Sequence, residues 1–79
     1  MATKDEIQHR KEVLKVMDYT IRRDIAPWCD PLHDEWLEIY PCEDEEEIEA
    51  LAADDDLYLL ALRGFAAINA RFIDMFEKD

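Results

Sequence analysis

The sequence predicts an all-α fold, a small bundle of three to four helices in a single domain spanning residues 1–79. Three observations carry that expectation. Ile7, Leu14 and Ile21 recur at seven-residue intervals, the spacing that lays one apolar stripe along a helix. Residues that start helices recur at Thr3, Asp30, Asp44 and Asp54. The turn chemistry of a strand-rich fold is missing, because the chain has one glycine and neither an Asn-Gly nor an Asp-Gly pair. An apolar share of 49 % in 79 residues is enough for one core, so disorder is not expected despite 38 % charged residues. It is also more apolar surface than a monomer of this size readily hides, which keeps a homodimer open.

Thr3 and Glu6 form a T-x-x-E capping box ahead of the first helix. Val13, Met17 and Ile25 flank its stripe, Arg22 and Arg23 suit the negative end of its dipole, and Pro27 stops it at about residue 25. Asp30 then reads as an N-cap with Pro31 at the first helical position, and Leu32, Trp36 and Ile39 or Tyr40 keep helical spacing up to Pro41. A short strand over residues 36–40 is the competing reading. Asp44 and Glu47 resemble a second capping pair, opening a short helix with Ile48, Leu51 and Ala52 inward. Asp54, Asp55 and Asp56 cap a last helix over about 57–76, or the two helices run together with a kink. In that last helix Leu57, Leu60, Ala61, Gly64, Ile68, Phe72 and Met75 share a face, broadened by Tyr58, Leu62, Phe65 and Phe76. Only a strip through Arg63, Ala67, Ala70, Arg71 and Asp74 suits water, so the helix is expected to be surrounded by the others. Gly64, with Ala61, Ala67 and Ala70, would let a neighbour approach closely.

Several function classes lack their chemistry. A single glycine excludes Gly-rich phosphate loops, and the absence of serine excludes serine nucleophiles. The longest apolar run, residues 57–62, falls far short of the ~20 residues of a bilayer span. The acidic, unapolar start carries no signal-peptide pattern, so the cytoplasm is the expected compartment. Cys29 and Cys42 are expected to be free thiols there, with a disulfide between them as the alternative. A zinc site from Cys29, His33 and Cys42 lacks a fourth ligand at metal spacing. Glu6 with His9 is one weak Glu-x-x-His pair, the run at 54–56 lacks the spacing of a calcium loop, and Cys29 with His33 has no oxyanion site nearby. Neither a metal, a cofactor nor catalysis is expected.

The formal charge of −12 is concentrated in the middle of the chain. Residues 1–24 carry six Lys/Arg against five Asp/Glu, and residues 63–79 carry three of each. Between Asp24 and Arg63 there are thirteen acids and no Lys or Arg: Asp30, Asp34, Glu35, Glu38, Glu43, Asp44, Glu45, Glu46, Glu47, Glu49, Asp54, Asp55 and Asp56. The six acids in 43–49, if helical, span about 9 Å, over which duplex DNA carries about five charges. A surface evolved for phosphates would therefore meet a similar charge density. The plainer reading is that acids in a first helical turn cap it and keep the chain soluble.

The expected partner is thus a basic surface of another protein; nucleic acid itself would be repelled, and no membrane is implied. The candidate footprint is Asp34, Glu35, Glu38, Glu43, Asp44, Glu45, Glu46, Glu47, Glu49, Asp54, Asp55 and Asp56, with Trp36 and Tyr40 as apolar anchors. Trp28, Leu32, Trp36 and Tyr40 are most simply core and lid residues. In size, charge and helicity the chain resembles, as a class, phage-encoded counter-defence proteins: DNA mimics, anti-restriction and anti-CRISPR proteins. No motif here singles out a family, and immunity proteins and antitoxins share the outline. A structural helical homodimer with a solvated acidic face, and a small metal-binding protein, are the alternatives.

Overall fold

A computed structural model describes residues 3–41 and 43–77, without the side chain of Phe76. All regular structure among them is helical: α1 (Lys4–Thr20), continued by a π-helical segment (Ile21–Ile25), then α2 (Asp30–Ile39), α3 (Glu45–Ala53) and α4 (Asp55–Glu77). The strand considered for 36–40 is replaced by the last turn of α2.

Local chemistry sets most of these boundaries. Thr3 Oγ1 accepts from the Glu6 N–H at 3.2 Å, which satisfies one of the orphan donors at the start of α1. The π segment has the Ala26 N–H donating five residues back to Ile21 at 2.7 Å, a widened turn that the sequence does not signal. Pro27 follows with no N–H to continue the ladder, and the helix ends there. α2 begins one residue earlier than expected: Cys29 is its N-cap, without a side-chain bond, and Asp30 with Pro31 sits in the first turn. Asp44 caps α3 as expected, accepting from the Glu47 N–H at 2.9 Å. The Glu47 carboxylate reaches back to the Glu43 N–H at 3.2 Å, one residue before the cap. Asp54 has extended backbone and separates α3 from α4, while its carboxylate accepts from the Leu57 N–H at 3.1 Å.

The core lies where α1 and the π segment, α2, α3 and α4 converge. Leu14, Met17, Ile21 and Ile25 meet Leu32, Trp36 and Tyr40, with Leu51, Ala52, Ala61 and Ile68 completing the buried set. α3 packs chiefly on α1, and α2 on α4 and the π segment. Trp36 stacks on Tyr40 with ring centroids 5.3 Å apart, and meets Phe65 edge-on at 6.2 Å. Its indole N–H donates to Asp18 Oδ1 at 3.0 Å, so the ring is buried without orphaning a donor. Arg22 grips the same carboxylate with its Nε 3.0 Å from each oxygen, which fixes Asp18 in place.

α4 departs from expectation. Of the face assigned inward, Ala61 and Ile68 are buried and Gly64 and Phe72 half-buried, but Leu57, Leu60 and Met75 are exposed. Length is the reason. A helix of 23 residues runs about 35 Å, whereas α2 with 10 and α3 with 9 run about 15 Å each, so they cover only part of it. Gly64 does mark a close approach, because a Cβ there would overlap Ile39 Cδ1 of α2. Ala67 and Ala70 are exposed and take no part in it.

Candidate functional site

The acidic middle of the chain folds into α2, α3 and the start of α4, and its carboxylates divide into two groups. The first group is tied to the flanking helices. α1 lies against α3, so Lys11 and Lys15 both reach Glu45, Lys11 at 3.2 Å. The Glu45 carboxyl is held below its ordinary range, first by the Lys15 hydrogen bond and then by that of Lys11. Arg10 bonds Asp55 at 2.7 Å, lowering that carboxyl as well, and gives a second bond to the Ala52 carbonyl at 3.1 Å. It thereby supplies a cation at the end of α3, which has no base in its own last turn. The guanidinium also lies over the Tyr58 ring, 4.8 Å from its centroid. Arg71 of α4 pairs with Glu35 at 2.5 Å, and the same bond raises the arginine further.

The second group is open. Three of the thirteen acids are paired, and the other ten make no ion pair among the described residues. Asp44, Glu47 and Asp54 are used as helix-start acceptors. Asp34 and Glu38, one turn apart, occupy the side of α2 opposite Leu32, Trp36 and Tyr40 and are exposed. Glu46 and Glu49 are exposed because Ile48, Leu51 and Ala52 take the inner side of α3, and Glu43 before α3 and Asp56 at the start of α4 are exposed too. The partial pairing was invisible in the sequence, since the bonded charges lie 30 to 45 positions apart.

Trp36 and Tyr40 do not belong to this surface. Their exposures of 0 % and 2 % leave nothing for a partner to touch, so the core reading of both stands and the surface-anchor reading is corrected. Helical spacing puts them on the stripe begun by Leu32. The tryptophan left at the surface is Trp28, 72 % exposed in the turn before α2.

Apolar surface within the acidic region comes from elsewhere. Between the end of α2, α3 and the start of α4 runs a groove of ≈ 380 Å³, floored by Ile39, Pro41, Ala50, Leu51, Leu57 and Leu60. Glu38 and Glu47 stand on its edges. A shallower continuation shares Glu38 and Ile39, passes Gly64 and Ala67, and ends at the Glu35–Arg71 pair. The sequence pattern alone places Leu57 and Leu60 inward. The signal that they are not was the mismatch between a helix apolar around most of its girth and two short partners.

Metal chemistry has no assembled ligand set: no group of three or more His, Cys, Asp or Glu side chains converges among the described residues. Cys29 is a free, half-buried thiol, and His33 Nε2 is buried without a hydrogen-bond partner. Cys42, needed for both the disulfide and the zinc readings, lies outside the described residues. Glu6 and His9 share a shallow cleft with Asp5, Arg10 and Tyr58. Among the described residues no helix is long and apolar enough to cross a membrane. No family model, no curated protein and no solved structure matches this chain.

Proposed function

We propose that this chain is a protein-binding module, an acidic inhibitor or adaptor that occupies a basic surface of a partner protein and does no catalysis. The observation that carries the reading is the open group of acids. Ten carboxylates lie on α2, α3, the junctions beside α3 and the first turn of α4, with no base between Asp24 and Arg63 to offset them. Charge of one sign concentrated on a packed scaffold steers an oppositely charged partner and repels nucleic acid. A partner surface built to hold phosphates has the complementary charge, which makes a DNA-mimic role of the anti-restriction or anti-CRISPR kind the most specific form of the proposal.

The test is binding of the intact chain to purified basic nucleic-acid-binding proteins, at low and high salt and in competition with duplex DNA. Binding is expected to weaken steeply with salt, to compete with DNA, and to be lost on combining Glu46→Lys, Glu49→Lys and Asp56→Lys. These three acids make no ion pair and accept no helix-start hydrogen bond, but Glu46 and Asp56 lie in first turns, so the variant's helicity is checked by circular dichroism. Tight binding that survives the triple reversal removes the footprint.

A second reading, a helical homodimer, is favoured by one separate observation. Leu59, Leu62, Ala66, Asn69 and Ile73 follow the alternating three- and four-residue spacing of a coiled-coil seam. Leu59 and Ile73 remain 48 % and 47 % exposed, and Ala66 is exposed. Sedimentation of the chain as a stable dimer, dissociated by Leu59→Lys with Ile73→Lys, would establish it.

A further inference from the structure

Resting on the acidic-module reading, we propose that the groove between α2, α3 and α4 is a docking track for an amphipathic, basic helix of the partner. Such a helix carries Leu, Ile or Met anchors on one side, with Lys or Arg flanking them.

Three features select this occupant. The first is the floor: Leu57 and Leu60 are 45 % and 51 % exposed and sit beside Ile39, Pro41 and Ala50, so apolar anchors would remove contiguous apolar surface from water. The second is the charge of the edges. Glu38 and Glu47 line the groove, Glu43 and Glu46 are exposed nearby in the chain, and no base lines the apolar section. The one base further along, Arg71, is committed to Glu35. An acidic helix would be repelled there, and a second copy of this chain would bring another charge of −12 against the same edge. The third is shape and length. From Leu57 to Arg71 the track follows α4 for about 21 Å, the length of a helix of about 14 residues, and grooves between helices recognise helices by anchors at i, i+3 or i+4. Glu47 is also held in place at the rim: its backbone N–H is taken by Asp44 and its carboxylate by the Glu43 N–H.

The experiment titrates the intact chain with three synthetic helical peptides of about 14 residues, matched to the track. One alternates Leu and Lys at helical spacing, one replaces every Leu by Ala, and one replaces every Lys by Glu. Affinity and amide chemical shifts are followed at low and high salt, for the native chain and for a Leu57→Gln, Leu60→Gln variant whose fold is checked by circular dichroism. The Leu–Lys peptide is expected to bind about tenfold or more tighter than the Ala–Lys peptide. Its shifts should concentrate on 38–41, 47–51 and 57–67, and the double variant should lose that margin while binding the Ala–Lys peptide unchanged. Equal affinity for the Leu–Lys and Ala–Lys peptides, or no effect of the double variant, overturns the groove and leaves the acidic surface standing. Equal binding of the Leu–Glu peptide overturns the charge selection. Failure of both basic peptides to bind at low salt overturns the acidic-module reading with it.

Discussion

The hub around Trp36 and the groove over Leu57 and Leu60 are built from the same kinds of residue and end in opposite states. In the hub, large apolar side chains from α1, the π segment and α2 are enclosed, and the Trp36 indole N–H carried inside with them meets Asp18. In the groove, leucines of equal apolarity stay near half exposed, with carboxylates at the edges. The difference teaches that apolar patterning marks which residues seek burial, while burial itself goes to those that the other elements are long enough to reach.

The sharpest way to break this contrast is Trp36→Ala. Truncating a fully buried aromatic removes about 3–5 kcal/mol, comparable to the whole stability of a chain this small, so urea denaturation should show most of the cooperative transition lost. A variant that unfolds at the native midpoint would mean that the hub does not organise the bundle. Asp18→Ala comes next, expected to cost about 1–3 kcal/mol by leaving a buried indole donor unsatisfied. Asp18→Asn keeps an acceptor oxygen and should recover most of it, which separates the hydrogen bond from simple loss of charge.

On the groove side, Leu60→Gln should alter stability by less than about 0.5 kcal/mol, as is usual for exposed positions. A loss as large as that of Asp18→Ala would show that Leu60 is part of the folded core. The smallest effect belongs to the tied carboxylates. Glu45 and Asp55 sit below their ordinary range, so their contribution to stability is complete above the unfolded-state carboxylate value near ~4 and is lost as pH falls through their lower folded values. Both are exposed, and solvent screening keeps the effect slight. Thermal melts from neutral to acid pH should decline more shallowly in a Glu45→Gln, Asp55→Asn chain than in the native one.

Most helix starts were legible because they are local. The cap and its N–H partner lie three residues apart at Thr3, Asp44 and Asp54, and such pairs form wherever the chain goes helical. Misreadings fell where the outcome depended on distant partners. Trp36 and Tyr40 carry surface-anchor chemistry and stripe spacing at once, and packing on α1 and α4 chose the stripe. The acidic region announced its charge, but Glu35, Glu45 and Asp55 are cancelled by bases from α4 and α1.

By itself the sequence determined the helical class, the places where helices begin, and a large negative charge confined to the middle of the chain, because these follow from spacing and composition along the chain. Only the tertiary structure decided which apolar faces are covered and which carboxylates stay open. Both depend on the relative lengths of packed helices and on contacts between residues tens of positions apart, quantities that no local window of sequence contains.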